Sequence, residues 1–142
     1  MSQPFRHTHR VAYAECTVGN HVYYSRYLEI LETARGEFFR QLGRPLREWQ
    51  EAGTAFPVIG LNISYKAPAR YDDALTVELW ITELGGIRLS CGFRILNALG
   101  VLLVEGETRH VCASTEERPK RLPKDLVEQL QPYLATSASD EV

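Results

Sequence analysis

The sequence predicts an α+β chain in which an antiparallel sheet of about five strands wraps around one long central helix, with a short helix near the C-terminus. Three observations predict it. A single stretch carries a long apolar stripe at helical spacing: Tyr27, Leu31, Ala34, Phe38 and Leu42. After Gly53 the chain changes to runs in which apolar and polar residues alternate with a period of two. The connections between those runs are short and rich in turn-forming residues, so successive strands should run antiparallel.

Taken in order, His7, His9, Val11 and Tyr13 alternate with Arg6, Thr8, Arg10 and Ala12, the pattern of a first strand with one covered face. Small and polar residues from Glu15 to His21 then read as a loop. The helix begins at about Ser25, and Leu28, Ile30 and Phe39 widen its apolar stripe, which implies cover on more than one side. Gly43 suits the residue just past a helix end, and Pro45 prevents continuation. Gly36 inside the helix costs about 1 kcal/mol relative to Ala, which suggests a close packing partner for its backbone.

Ile59, Leu61, Ile63 and Tyr65 form the first alternating run, and Leu75, Val77, Leu79 and Ile81 the second. Gly85-Gly86 marks a turn before Ile87, Leu89, Cys91, Phe93 and Ile95. Asn97 to Gly100 reads as a hairpin loop, and Val101–Ala113 as a last long strand. Pro123 suits a first helical position, followed by Leu126, Val127 and Leu130. A long edge strand left open invites pairing with a second copy, so a homodimer or homotetramer is expected.

Length and composition set the outer limits. With 142 residues, 44% hydrophobic and 24% charged, the chain fits one domain over residues 1–134, with a small, polar tail at 135–142. A net charge of -2 offers no broad cationic field, so no nucleic-acid partner is expected. No apolar run reaches the roughly 18 residues of a membrane span, and the first ten residues lack a secretory apolar core, so no membrane partner and a cytoplasmic location are expected. Cys16, Cys91 and Cys112 are odd in number and widely spaced, which argues against a disulfide framework or a metal knuckle. No cofactor or metal is expected.

The most informative segment runs from Tyr13 through Glu15, Gly19, Tyr23, Tyr24 and Tyr27 to Glu32 and Arg35. A second block, Tyr65-Lys-Ala-Pro-Ala-Arg-Tyr-Asp-Asp-Ala-Leu75, follows in order. Together they resemble the hotdog-fold acyl-CoA thioesterases of the 4-hydroxybenzoyl-CoA thioesterase type. The resemblance implies a dimer with a continuous sheet, an acyl-CoA substrate held at the subunit interface, and thioester hydrolysis. It places the Tyr24 N–H as a donor to the developing oxyanion at a helix N-terminus, a position where free N–H groups and the helix dipole favour negative charge. It also points to Tyr23, Tyr27 and Glu32 as substrate-binding residues.

The chain departs from the family pattern at Thr17, which stands where the resemblance calls for a catalytic aspartate. A threonine hydroxyl does not replace a carboxylate as base. Glu15 is one substitute, two residues earlier, and His21 is another, since an imidazole can accept a proton. Each has a structural alternative: Glu15 as a turn carboxylate, His21 as a loop histidine, Thr17 as a hydroxyl cap. Glu32 and Arg35 also fit a plain i,i+3 ion pair. Lys66, Arg70, Arg88 and Arg109 are candidates for the phosphates of coenzyme A, and Asp72-Asp73 reads as a solvated bend. The expected activity is acyl-CoA hydrolysis; the second reading is an acyl-CoA or acyl-carrier binding module without catalysis.

Overall fold

The computed structural model describes residues 3–135. Its elements in chain order are β1 (Phe5–Arg10), a 3-10 turn (Tyr13–Glu15), β2 (Cys16–Thr17), β3 (His21–Val22), α1 (Arg26–Gln41) and α2 (Leu46–Glu51). They continue with β4 (Thr54–Ala55), β5 (Val58–Tyr65), β6 (Ala74–Gly85), β7 (Arg88–Leu96), β8 (Leu102–Val111), β9 (Ala113–Ser114), α3 (Lys124–Leu130) and a last 3-10 turn (Gln131–Tyr133). The main sheet has five strands in the order β1-β6-β7-β8-β5, every pair antiparallel. This is the expected α+β arrangement, a hotdog fold.

The period-two alternation gives the sheet two chemically different faces. Leu75, Val77, Leu79 and Ile81 of β6 and Leu89, Cys91, Phe93 and Ile95 of β7 are all buried and point to the same side. On that side lies α1, whose Tyr27, Ile30, Leu31, Ala34, Phe38 and Phe39 are buried. Each large side chain among them contributes roughly 1.5–3 kcal/mol by leaving water. The far end of this layer is closed by α3, with Leu126 and Leu130 buried, and by Tyr133, whose ring meets Phe38 edge-on at 4.8 Å. The opposite face is polar. There Glu78 takes ion pairs from Arg6 and Arg94, both at 3.0 Å, and Arg94 lies over the Trp80 ring. Trp80 in turn lies flat across Gly92, where any Cβ would meet its ring at 2.4 Å.

Several expectations change. Tyr13 does not extend β1 but opens the 3-10 turn, because the chain leaves the sheet at Arg10. The six-residue α2, absent from the sequence reading, follows Pro45 and buries Trp49 against Phe56, with the Arg44 guanidinium 4.0 Å from the Trp49 ring. Leu28 widens the apolar stripe of α1 but stays 39% exposed, so the second covered side is absent there. Gly43 ends α1 with φ 103°, as a left-handed residue past a helix end. The expected tail at 135–142 lies outside the described residues except for Ala135, whose N–H donates to Ile81.

Gly36 corrects the reading most clearly. A Cβ built there meets no atom of the described residues within 4 Å, so no packing partner among them explains the glycine. Gly36→Ala should therefore raise stability by about 1 kcal/mol, since only the helix propensity and the entropy of the unfolded chain change. Thermal unfolding of the two proteins measures the gain, and an unchanged or lowered midpoint would contradict it.

Candidate active site

The loop between β1 and α1 is a small hairpin stitched to the rest of the fold. Its two short strands pair Cys16 with Val22 and Thr17 with His21. Val18, Gly19 and Asn20 make the turn, with φ 91° at Gly19 and 62° at Asn20. The connector between β5 and β6 holds the hairpin in place. Val22 N–H donates to Ala69 O at 2.9 Å, Ala69 N–H donates to the Tyr27 hydroxyl at 3.0 Å, and Tyr71 N–H donates to Asn20 Oδ1 at 3.2 Å. Asp73 accepts the Arg70 N–H and so shapes the bend of that connector.

Glu15 turns its carboxylate back into the structure. It accepts the Ala12 N–H at 2.7 Å, and both carboxylate oxygens lie 2.9–3.0 Å from His9 Nε2. His9 gave no signal beyond strand alternation, so this partnership was invisible in the sequence. Thr17 and His21 sit directly opposite each other on the hairpin, both exposed. His21 makes no side-chain hydrogen bond among the described residues. Cys16 lies between them and Glu15; burial, then the Glu15 and Asp73 carboxylates, push its thiol up and keep it protonated.

After the hairpin the backbone enters α1. Tyr23 N–H donates to Glu15 O at 2.9 Å, and Arg26 N–H donates to Tyr23 O at 2.8 Å. The Tyr24 N–H has no hydrogen-bond partner among the described residues and stands at the positive end of a 16-residue helix. The Tyr23 and Tyr24 rings are exposed and 4.6 Å apart. Tyr27 is different: it is 2% exposed, its hydroxyl already takes the Ala69 N–H, and burial pushes its phenol up.

A cavity of about 180 Å³ runs along α1 between the helix and the sheet. Leu28, Leu31, Leu61, Leu79, Cys91 and Phe93 supply apolar walls. Glu32, Arg35, Thr108 and His110 supply one polar side. Glu32 and Arg35 form the i,i+3 pair expected from spacing, at 2.6 Å, and Arg35 reaches on to His110 Nδ1 at 2.8 Å. His110 also lies 3.0 Å from Phe56 O and from Thr108 Oγ1. Burial and the neighbouring Arg35 charge lower its pKa to about 4, so the ring is neutral. The pairing of Arg35 with His110 spans 75 positions, and nothing local announced it.

Of the four cations weighed for phosphates, Lys66 lies 3.8 Å from Glu105 and Arg109 3.6 Å from Glu107. Arg70 and Arg88 are exposed and have no ion-pair partner among the described residues. Among those residues no group of three or more His, Cys, Asp or Glu side chains is placed to hold a metal ion, and no helix is long and apolar enough to cross a membrane.

His110 gives a pH signature. Its folded pKa lies below the ordinary value, so the native state binds fewer protons than the unfolded chain between pH 6.5 and about 4. Its contribution is fully present above pH 6.5 and is lost as pH falls through that window, on the order of 3 kcal/mol. His110→Gln should flatten the acid side of the stability curve measured by urea unfolding at pH 7, 5.5 and 4. An equal slope in both proteins would contradict this assignment.

Comparison with known proteins agrees with this geometry. Residues 11–130 match the thioesterase-like superfamily. The acyl-CoA thioester hydrolase YbgC of Escherichia coli is 36% identical over 124 residues, covering 87% of this chain and 92% of that protein. A crystal structure from Thermus thermophilus, described only as a hypothetical protein, is 34% identical with TM-score 0.84 and covers 90% of this chain and 98% of that one. A 1,4-dihydroxy-2-naphthoyl-CoA thioesterase from Synechocystis is 25% identical with TM-score 0.83, covering 89% of this chain and 95% of that one. The chain belongs to the thioesterase-like superfamily of hotdog proteins.

Proposed function

We propose that this member of the thioesterase-like superfamily is an acyl-CoA thioesterase that hydrolyses its substrate at the hairpin and the N-terminus of α1. The observation that carries the site is the Tyr24 N–H, which has no hydrogen-bond partner among the described residues and stands just before a long helix, three residues after His21. A donor already aimed at the place where charge develops costs no reorganisation during reaction. The acyl group lies in the cavity along α1, with Glu32 at its polar side, Tyr23 and Tyr24 flanking the carbonyl and Tyr27 supporting the helix beneath. The pantetheine arm runs out to solvent.

His21 is the base we favour. Glu15 has its oxygens committed to His9 and to the Ala12 N–H, whereas His21 is exposed and unengaged among the described residues. In this reading a water attacks the thioester carbonyl while His21 takes its proton. The tetrahedral oxyanion rests on the Tyr24 N–H, then collapses with cleavage of the C–S bond. The departing thiolate recovers the proton from His21, releasing free acid and coenzyme A. Thr17, opposite His21, contributes a hydroxyl to orient that water, and Glu15 fixes the loop through His9.

Assembly belongs to the same proposal. β5 is an edge of the sheet, and Val58, Ile59, Leu61 and Tyr65 along it are 38–53% exposed. An apolar, unpaired edge of this length suits antiparallel pairing with the same strand of a second copy, giving a homodimer.

Release of thiol from a panel of acyl-CoAs tests the activity, and no turnover on any member by the folded protein would sink it. On the best substrate, His21→Ala should lower kcat at least about a hundredfold, in the range typical for removing a general base. Glu15→Gln should have a smaller effect together with a lower unfolding temperature, because it weakens the His9 contact. The reverse order would make Glu15 the base. Sedimentation should show a dimer or a multiple of it, and Leu61→Lys should shift that equilibrium towards monomer; a wild-type monomer would overturn the edge pairing.

A further inference from the structure

The edge strand and the oxyanion donor meet at one hydrogen bond. Tyr65, the last residue of β5, donates its hydroxyl to the carbonyl of Tyr24 at 2.9 Å. Resting on the reading of Tyr24 above, we propose that Tyr65 is a positioning residue for catalysis: its hydroxyl fixes the backbone at Tyr24 so that the Tyr24 N–H points at the reacting carbonyl.

Two peptide planes meet at the Cα of Tyr24. The first, between Tyr23 and Tyr24, carries the donor N–H, and its carbonyl takes the Arg26 N–H at 2.8 Å. The second, between Tyr24 and Ser25, carries the carbonyl that Tyr65 holds. Tyr23 N–H, bound to Glu15 O, anchors the near side. With both planes tethered, φ and ψ of Tyr24 have little freedom, and the N–H keeps one direction. Without Tyr65 the second plane has no tether among the described residues, because Tyr24 precedes the first residue of α1 and its carbonyl is bonded by no other group there.

The Tyr65 ring is itself held. It lies 5.6 Å from the buried Tyr27 ring, and the next two residues, Lys66 and Ala67, both donate their N–H groups to Leu103 O. The hydroxyl is therefore presented from a strand end that is fixed to β8. Partial desolvation, with the Tyr24 phenol beside it, pushes the Tyr65 phenol up from its ordinary value, so the hydroxyl is a proton donor at neutral pH. Because β5 is also the edge offered to a second copy, Tyr65 ties the geometry of the donor to the strand that such a copy would order.

A misplaced donor harms the transition state more than the bound substrate, so the signature is a split between kcat and KM. Tyr65→Phe keeps the ring and removes only the hydroxyl. With acetyl-CoA, decanoyl-CoA and benzoyl-CoA as substrates, kcat should fall about tenfold on whichever the wild type turns over, and KM should change less than about twofold. Oligomeric state and unfolding temperature should match the wild type. Tyr71→Phe, which deletes another exposed phenol of the neighbouring connector, should leave kcat unchanged. Amide exchange at Tyr24 and Ser25 should quicken in Tyr65→Phe and not in Tyr71→Phe. An unchanged kcat in Tyr65→Phe would overturn the assignment while leaving the thioesterase reading intact. A fall matched by dissociation into monomers would also overturn it, since the hydroxyl would then serve assembly.

Discussion

One helix has to shield one face of a five-stranded sheet, and most other features follow from that demand. The buried side of β6 and β7 is a continuous row of large apolar residues, and α1 answers it with Tyr27, Ile30, Leu31, Ala34, Phe38 and Phe39. A helix is about 10 Å wide, so it cannot cover five strands alone. The remainder is handled locally: α3 and Tyr133 close the end near Ile81 and Phe38, and α2 with Phe56 closes the end near Phe39. Where nothing among the described residues closes the layer, beside Leu28 and Leu61, the cavity along α1 opens. The cavity proposed for the acyl group is thus the part of the core that one helix leaves uncovered.

The same demand accounts for what was legible in the sequence. Strand alternation and the helical stripe are the direct imprint of a two-faced sheet and a one-faced helix, so β5 to β8 and α1 could be read with their order and direction. The hairpin at Glu15 to His21 was legible as a loop because Gly19 and Asn20 adopt left-handed conformations that favour such residues. The unread features are those fixed by distant partners. α2 is too short to display a period, and its stability comes from Trp49 meeting Phe56 and Arg44. The engagement of Glu15 depends on His9 across the end of β1, and the neutral state of His110 on its burial and then on Arg35 from the helix. Spacing along the chain carries no record of such meetings.

The site inherits both the strength and the gap of this design. Its rigid parts, the start of α1 and the connector at Ala69, are bonded to each other through Tyr27 and Val22, so the Tyr24 N–H is set by the same contacts that dock the helix. The hydrogen bonds around Glu15 work in the same direction. A carboxylate that accepts a backbone N–H and an imidazole together stiffens its turn but has less capacity left for water. In the proposed reading this favours His21 as the base, since its side chain is exposed and makes no hydrogen bond among the described residues, although Glu15 was the first carboxylate weighed from the sequence.

The two edges of the sheet differ in a way that bears on assembly. β1, at one edge, has Phe5 turned inward against Phe38, stacked at 4.9 Å, while Arg6 crosses the outer face to Glu78. β5, at the other, keeps Val58, Ile59 and Leu61 in solvent, although Gly60 and Asn62 between them would have allowed polar cover. Exposed apolar side chains on an unpaired strand are a hazard that natural sequences usually blunt with charge or proline. Neither occurs within β5. Closing that edge with a second copy would cover the open flank of the cavity at Leu61 and bring a partner strand alongside Tyr65, next to the helix start that holds the donor. In the dimer proposed above, the apolar edge that pairs would therefore also set the proposed reactive groups at a subunit boundary.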